Sequence, residues 1–288
     1  MNNNKTKLNI KKFKLNWIGI ITIFKEMFKS ITDYGITSRA IKNKIINLEY
    51  WNPREFSCNK HKRIDERPYG GGPGMVMQVK PLVKAIHAAK IKAGKDVKVF
   101  FLSPQGKKID HKNIVDLATN LKIILVCGRY EGIDERIIKK EIDEEISIGD
   151  YITSGGELPA MVIIDAIIRI LPGVLKKRKS FKNDSFYNGI LDYPNYTRPK
   201  IVYNMEVPKV LLSGNHKEIG QWRFKKSLEK TWIKRPDLIK KINLNSNEKK
   251  ILNEYKKKFY LKKLNKKNKI RIYNESNNKN CRKKTVKN

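Results

Sequence analysis

Between Trp17 and Leu171 the chain alternates short apolar runs with stretches whose apolar residues recur every three or four positions. Apolar runs bounded by turn residues predict buried strands, and the three-to-four spacing predicts helices that pack by one stripe. Trp17–Phe24 reads as a strand, followed by a helix carrying Met27, Phe28, Ile31 and Tyr34. Ile45–Trp51 reads as another strand, and a loop rich in charge, Gly and Pro then runs to Gly74. Leu82, Ile86 and Ala89 predict a helix ending near Gly94, and Val97–Leu102 a strand. Ser103-Pro104-Gln105-Gly106 has the chemistry of a turn. Ile114, Leu117 and Leu121 predict a short helix, Ile123–Cys127 a buried strand and Ile133–Ile142 a further helix. Glu144–Ile148 leads as a strand into the glycine turn 149–156, and Met161–Leu171 is the most apolar helix, ending at Pro172-Gly173. Pro159 falls in its first turn, the one part of a helix where proline costs little. Strands separated by helices predict an α/β domain, a mostly parallel sheet with helices on both faces.

The pattern stops after residue 175. Residues 176–200 are dominated by charge, Asn, Ser, Pro and Gly and read as a mobile interdomain loop. Residues 201–265 read as a small, mainly helical second domain. There Gly214-Asn215 precedes a basic helix with Trp222, Phe224, Leu228 and Trp232, whose rings are expected in a core, and a second helical pattern runs from Glu248 to about Leu264. Residues 1–15 form a basic extension, 16–175 the first domain, and 266–288 a tail expected to be disordered.

Charge changes the picture most. The chain of 288 residues has a formal net charge of +35. Residues 1–15 hold five lysines and no acid, and residues 240–288 hold eighteen Lys/Arg against three Glu. The segment between them is basic as well, which points to a polyanionic partner, most often nucleic acid. The competing reading is a lysine-rich composition with no binding role. Three widely spaced cysteines, Cys58, Cys127 and Cys281, make neither a disulfide framework nor a zinc motif and suit a reducing compartment. Trp17–Phe24 follows lysines in the manner of a signal peptide, but Lys25-Glu26 follows directly and no small-residue cleavage site does. No apolar run reaches membrane-spanning length. The expectation is a cytoplasmic protein with no membrane partner.

Three breaks carry the candidate chemistry. Leu102–Gly106, Gly128–Gly132 and Ile148–Gly156 each follow a predicted strand, so a parallel sheet would gather them at one edge. A cavity there would be lined mostly by backbone and would suit the adenine and ribose of a nucleotide-like cofactor; Ile148–Gly156 taken alone could equally be a tight structural turn. Arg67–Met75 is glycine-rich without the ending of a P-loop or the fingerprint of a dinucleotide fold. It reads either as a hinge or as a place where a flat or phosphorylated ligand comes close.

Taken together, RPYGGGPGM (67–75), LSPQG (102–106), CGRYEGIDER (127–136), IGDYITSGGELPAM (148–161), LDYPNYTRP (191–199) and LLSGNH (211–216) resemble the bacterial tRNA (guanine-37-N1)-methyltransferases. That family belongs to the knotted SPOUT class, and the resemblance runs from about Trp17 to Asp237. It implies a trefoil knot at the C-terminal end of the first domain, formed by the three loops. It also implies an S-adenosylmethionine site lined by Leu102, Pro104, Gly128, Ile148, Gly149, Asp150, Tyr151, Ile152, Thr153, Gly155, Gly156 and Pro159. Gly74, Tyr130, Glu131, Asp192 and Tyr196 are implied on the substrate side. The partners implied are a tRNA with guanine at position 37 and a second copy of the chain, each active site drawing on both subunits. Mg2+ is implicated in catalysis in the family.

The resemblance gives two residues catalytic roles. Asp184 corresponds to the general base that removes the guanine N1 proton, and Arg169 to the arginine that stabilises charge on the guanine carbonyl oxygen. Their ordinary alternatives are a solvated loop acid for Asp184 and a helical ion pair with Asp165 for Arg169. Lys225, Lys226, Lys230, Lys234 and Arg235 suit phosphate contacts. The chain departs from the family at Thr153, where an aliphatic residue is common, and in the very basic run Lys176–Lys182. Two other classes remain as alternatives, a non-catalytic RNA-binding protein and a ribose 2′-O methyltransferase.

Overall fold

The computed structural model describes residues 13–175, 184–261 and 263–264. The extension 1–12, the basic run 176–183 and the tail from 265 lie outside the described residues. The chain divides into two compact units, Met1–Lys182 and Asn183–Asn288.

In the first unit, β1 (Trp17–Ile21) and β2 (Asn47–Trp51) begin a sheet. It is completed by β5 (Lys98–Lys108), β6 (Lys122–Cys127) and β7 (Glu144–Ser147). The short β3 (Asp65–Glu66) and β4 (Val76–Met77) pair separately as an antiparallel ribbon. The five-stranded sheet has the order β2-β1-β6-β5-β7, every pairing parallel. Side chains alternate across a strand, and these strands are apolar on both faces. Ile18, Ile20, Phe100, Leu102, Ile123, Leu125 and Cys127 enter one hydrophobic cluster. Trp17, Ile21, Val99, Phe101, Ile124 and Val126 enter the other. The double-sided burial explains the near-continuous apolar runs. Each fully buried Ile or Leu contributes roughly 1.5–3 kcal/mol relative to exposure.

Helices cover both faces. A 3-10 turn (Lys25–Phe28) and α1 (Lys29–Thr32) stand where one helix is predicted, and α2 (Gly35–Lys42) follows. α3 (Val79–Ala93) buries Leu82, Ala85, Ile86 and Ala89 at helical spacing against the second cluster and stops at Gly94. α4 (His111–Leu117) is started by Asp110, whose carboxylate accepts from Asn113 N while Asn113 Oδ1 accepts from Asp110 N. Leu121, predicted inside this helix, lies beyond its end and is exposed. α5 (Glu135–Glu141) packs with the second cluster through Ile137. α6 (Glu157–Ile170) buries nine of its residues, as its composition predicts.

The largest departure from the predicted elements is at Ser103–Gly106. The strand does not end there. Leu102 and Lys107 both pair with Ile146, so the four residues between them bulge out of register and β5 resumes beyond. The local turn chemistry is present, since Gln105 N donates to Ser103 Oγ at 3.1 Å. What continues the strand is β7, whose backbone at Glu145 and Ile146 lies so close to Gly106 that a Cβ there would overlap it.

The second unit holds a hairpin, β8 (Ile201–Val202) with β9 (Met205–Glu206), then α7 (Lys209–Leu212), α8 (His216–Lys234) and α9 (Pro236–Lys241). A further helix occupies 246–261. Asn215 caps α8 by accepting from Lys217 N and Glu218 N. The rings read as core material divide. Trp232 packs edge-on against Tyr255, Phe259 and Tyr260, at centroid distances of 5.9, 5.2 and 6.0 Å. Trp222 is half-buried beside Tyr196.

Candidate active site

β6, β5 and β7 are neighbours in the sheet and run in the same direction, so the C-terminal ends of β6 and β7 open beside the bulge of β5. The three sequence breaks therefore meet. They enclose a cavity of about 360 Å³ lined by Leu102–Gln105, Gly128–Ile133 and Ile148–Gly156 apart from Asp150, together with Pro159 and a few flanking side chains. A cavity of this size holds a small molecule. Glycines form part of its wall, and the packing demands them. A Cβ on Gly156 would stand 2.6 Å from Cys127 Cα, and one on Gly128 2.8 Å from the Phe101 ring. Gly156 N donates to Gly128 O at 2.9 Å, joining two of the loops directly.

Of the twelve residues expected around a cofactor, eleven line this cavity. Asp150 does not: it is exposed and paired with Lys108, across the bulged end of β5. Thr153 turns inward on its own loop, its hydroxyl donating to Gly155 O at 2.9 Å. Apolar residues of the lining include Leu102, Pro104, Ile148, Ile152 and Pro159, and its polar residues include Gln105, Glu131, Glu135 and Glu145 beside the glycine turns. Such a wall fits a flat heteroaromatic ring with a polar edge, as an adenosyl group has.

Tyr130 and Glu131, expected from the resemblance to face substrate, line the same cavity. Gly74 lies against Glu131 so closely that a Cβ would overlap its carboxylate, and Glu131 N donates to Met75 O at 2.9 Å. The glycine-rich loop is thus brought to the cavity rim. Tyr69 beside it is fully exposed. Arg169 is exposed in the last turn of α6, on the same helix face as Asp165, whose carboxylate accepts from Thr37 Oγ1 at 3.2 Å.

Asp184, Asp192 and Tyr196 belong to the second unit. Residues 184–200 form no helix or strand, yet they are held to α8. Leu191 N donates to Thr231 Oγ1 at 2.9 Å, and the Arg223 guanidinium lies over the Tyr193 ring at 4.7 Å. Asp192 accepts from Ser185 Oγ at 2.8 Å and from Lys230 Nζ at 3.2 Å. Partial burial pushes the Asp192 carboxyl up, but these two hydrogen bonds and the lysine charge outweigh it and hold it below the usual range. Lys230, read as a phosphate contact, is engaged in this pair. Asp184 is half-buried at the start of the segment, its carbonyl accepting from Tyr187 N.

Two side chains of the site have no assigned role in the sequence reading, Arg129 and Glu157. Glu157 is wholly buried at the start of α6 and pairs with Arg129 at 2.8 Å. The signal was an acid opening the most apolar helix of the chain, a position that water cannot reach. Among the described residues no group of three or more His, Cys, Asp or Glu side chains gathers to hold a metal ion, and no helix is long and apolar enough to cross a membrane.

The likeness noted in the motifs extends over nearly the whole described chain. The family tRNA (Guanine-1)-methyltransferase TrmD matches residues 16–241. The tRNA (guanine-N(1)-)-methyltransferase of Pectobacterium carotovorum is 57% identical over 243 residues, covering 84% of this chain and 97% of the relative. That of Klebsiella pneumoniae is 58% identical over 240 residues, covering 83% and 94%. That of Mannheimia succiniciproducens is 56% identical over 246 residues, covering 85% and 96%. With every quoted motif inside the matched span and three of them walling one cavity, the chain belongs to the tRNA (guanine-1)-methyltransferase family.

Proposed function

We propose that the chain methylates N1 of the guanine at tRNA position 37, taking the methyl group from S-adenosylmethionine. The observation that carries the reading is the meeting of the β5 bulge with the loops after β6 and β7 around one glycine-rich cavity, in a chain of this family. We read the first unit as a SPOUT-class fold with a trefoil knot through these loops, and the active enzyme as a homodimer whose sites draw on both copies.

Bound in the cavity, S-adenosylmethionine would supply an electrophilic methyl on a sulfonium sulfur that leaves as a neutral thioether. Leu102, Pro104, Ile148, Ile152 and Pro159 would hold its flat ring, and the turns at Gly128 and Gly155-Gly156 its polar edges. Guanine N1 carries a proton, so it attacks only as that proton leaves. Asp184 accepts it. Arg169 stabilises the negative charge that grows on the guanine carbonyl oxygen. Gly74, Tyr130 and Glu131 place the base at the rim, and Asp192, held by Ser185 and Lys230, orders the segment that carries Asp184. Tyr196 adds a ring face beside Trp222.

The test is methyl transfer from labelled S-adenosylmethionine to a tRNA with guanine at position 37, with the product mapped to the nucleotide and atom. Asp184→Ala is expected to lower transfer at least about 100-fold, with donor binding retained in calorimetry. Methyl on a ribose, or wild-type turnover by Asp184→Ala, would overturn the assignment.

A further inference from the structure

The contact that joins the cavity loops to the end of β1 is built around one buried ion pair. Glu157 Oε2 accepts from Arg129 Nε at 2.8 Å, and Oε1 accepts from Thr22 Oγ1 at 2.8 Å. Thr22 Oγ1 in turn accepts from Phe24 N at 3.0 Å, which fixes the chain as it leaves β1. The guanidinium has its other nitrogens committed too. Nη1 donates to Ser154 O at 3.0 Å, Nη2 lies 3.4 Å from Met27 Sδ, and the group stands 4.6 Å over the Phe24 ring. Gly155 packs against it with no room for a Cβ.

Arg129 therefore reaches from the loop after β6 to the loop after β7 and grips that second loop at the Ser154 carbonyl, within the turn that lines the cavity. A guanidinium can do this because its donors form a fixed planar fork; an ammonium cannot hold the same two acceptors in one geometry. Thr22 and Glu157 are both buried, so the fork has a rigid anchor.

Resting on the reading of the cavity as the methyl-donor site, we propose that Arg129 and Glu157 are positioning residues that set the separation of its two glycine loops, and with it donor affinity. Neither residue needs to touch the reacting atoms. If the pair serves stability alone, removing both charges together restores what removing one takes away, because no unpaired charge is left buried. If it positions the loops, stability returns and affinity does not.

The experiment titrates S-adenosylmethionine by calorimetry into the full-length wild type, Arg129→Met, the double variant Arg129→Met/Glu157→Gln, and the milder Arg129→Lys, alongside thermal unfolding of each. The double variant is expected to melt above Arg129→Met yet to bind the donor at least about tenfold more weakly than wild type. Arg129→Lys should keep its fold and lose several-fold in affinity, with kcat at saturating donor reduced less than affinity. Donor binding within twofold of wild type in the double variant, or in Arg129→Lys if the double variant does not fold, would overturn the positioning role and leave the cavity reading standing. A wild type that binds no donor would overturn the cavity reading, and the proposed role with it.

Discussion

A cysteine reacts as its thiolate and only where a reagent reaches it, and the two described cysteines differ in burial. Cys127 ends β6 and is buried. Burial first, and then the charge of Glu157, push its thiol well above the ordinary range, against a smaller opposing pull from Arg129. Cys58 is exposed. A maleimide at pH 8 is therefore expected to modify Cys58 in the folded chain, and Cys127 only after denaturation, as read by peptide mass mapping. Comparable labelling of both would contradict the packing around β6. The same neighbourhood gives a sharper test of the cavity wall. Gly156→Ala must displace the backbone at Cys127, which a flexible side chain cannot absorb. We expect a loss of about 1–3 kcal/mol in unfolding free energy, and donor affinity lowered at least about tenfold. A fully stable Gly156→Ala protein with normal donor binding would show that the two loops do not meet as described.

At the scale of the element, α8 contains one residue that serves neither packing nor turn geometry. Gly220 lies in its first half, exposed, with open space where a Cβ would be. Gly220→Ala should stabilise the second unit by roughly 0.5–1 kcal/mol, seen as a higher unfolding midpoint with unchanged transfer rate. A lower midpoint would mean that the position makes a contact absent from the isolated chain. α8 was legible in the sequence because its cap and its apolar spacing agree. α2 was not, because its buried face carries Thr37 and Ser38 beside Ala40, and polar residues on an inward face hide the period. β5 shows a different limit. Turn chemistry at Ser103–Gly106 is local and real, but the decision to resume the strand belongs to β7, forty residues further on. The candidate site divides in the same way. Glycine turns announce themselves, so the three breaks could be read directly, while the individual lining residues came only from the family resemblance. Arg129 and Glu157 could not, since the meaning of each lies in the other, 28 residues away.

For the whole molecule, the +35 charge admits two accounts, a tRNA-binding surface or a composition without consequence for binding. They separate in salt. Each phosphate neutralised by Lys or Arg releases a counterion, so an electrostatic affinity falls linearly on logarithmic axes as salt rises. Several lysines of the second unit are already taken by internal acids: Lys226 by Glu229, Lys230 by Asp192 and Lys200 by Glu206. Lys225, Lys234, Lys249, Lys250, Lys257 and Lys258 are exposed. Donor binding, read into the cavity, draws on other residues: none of these lysines lines it, and its one lining arginine is committed to Glu157. Between 50 and 200 mM KCl we expect the dissociation constant for tRNA to rise at least about tenfold, while that for S-adenosylmethionine changes less than threefold. Filter binding for the RNA and calorimetry for the donor measure the two on one preparation. A tRNA affinity indifferent to salt would return the excess of lysine to composition alone. A donor affinity that falls in step with it would mean that the cavity depends on the surface charge, and the division of labour between wall and surface would have to be redrawn.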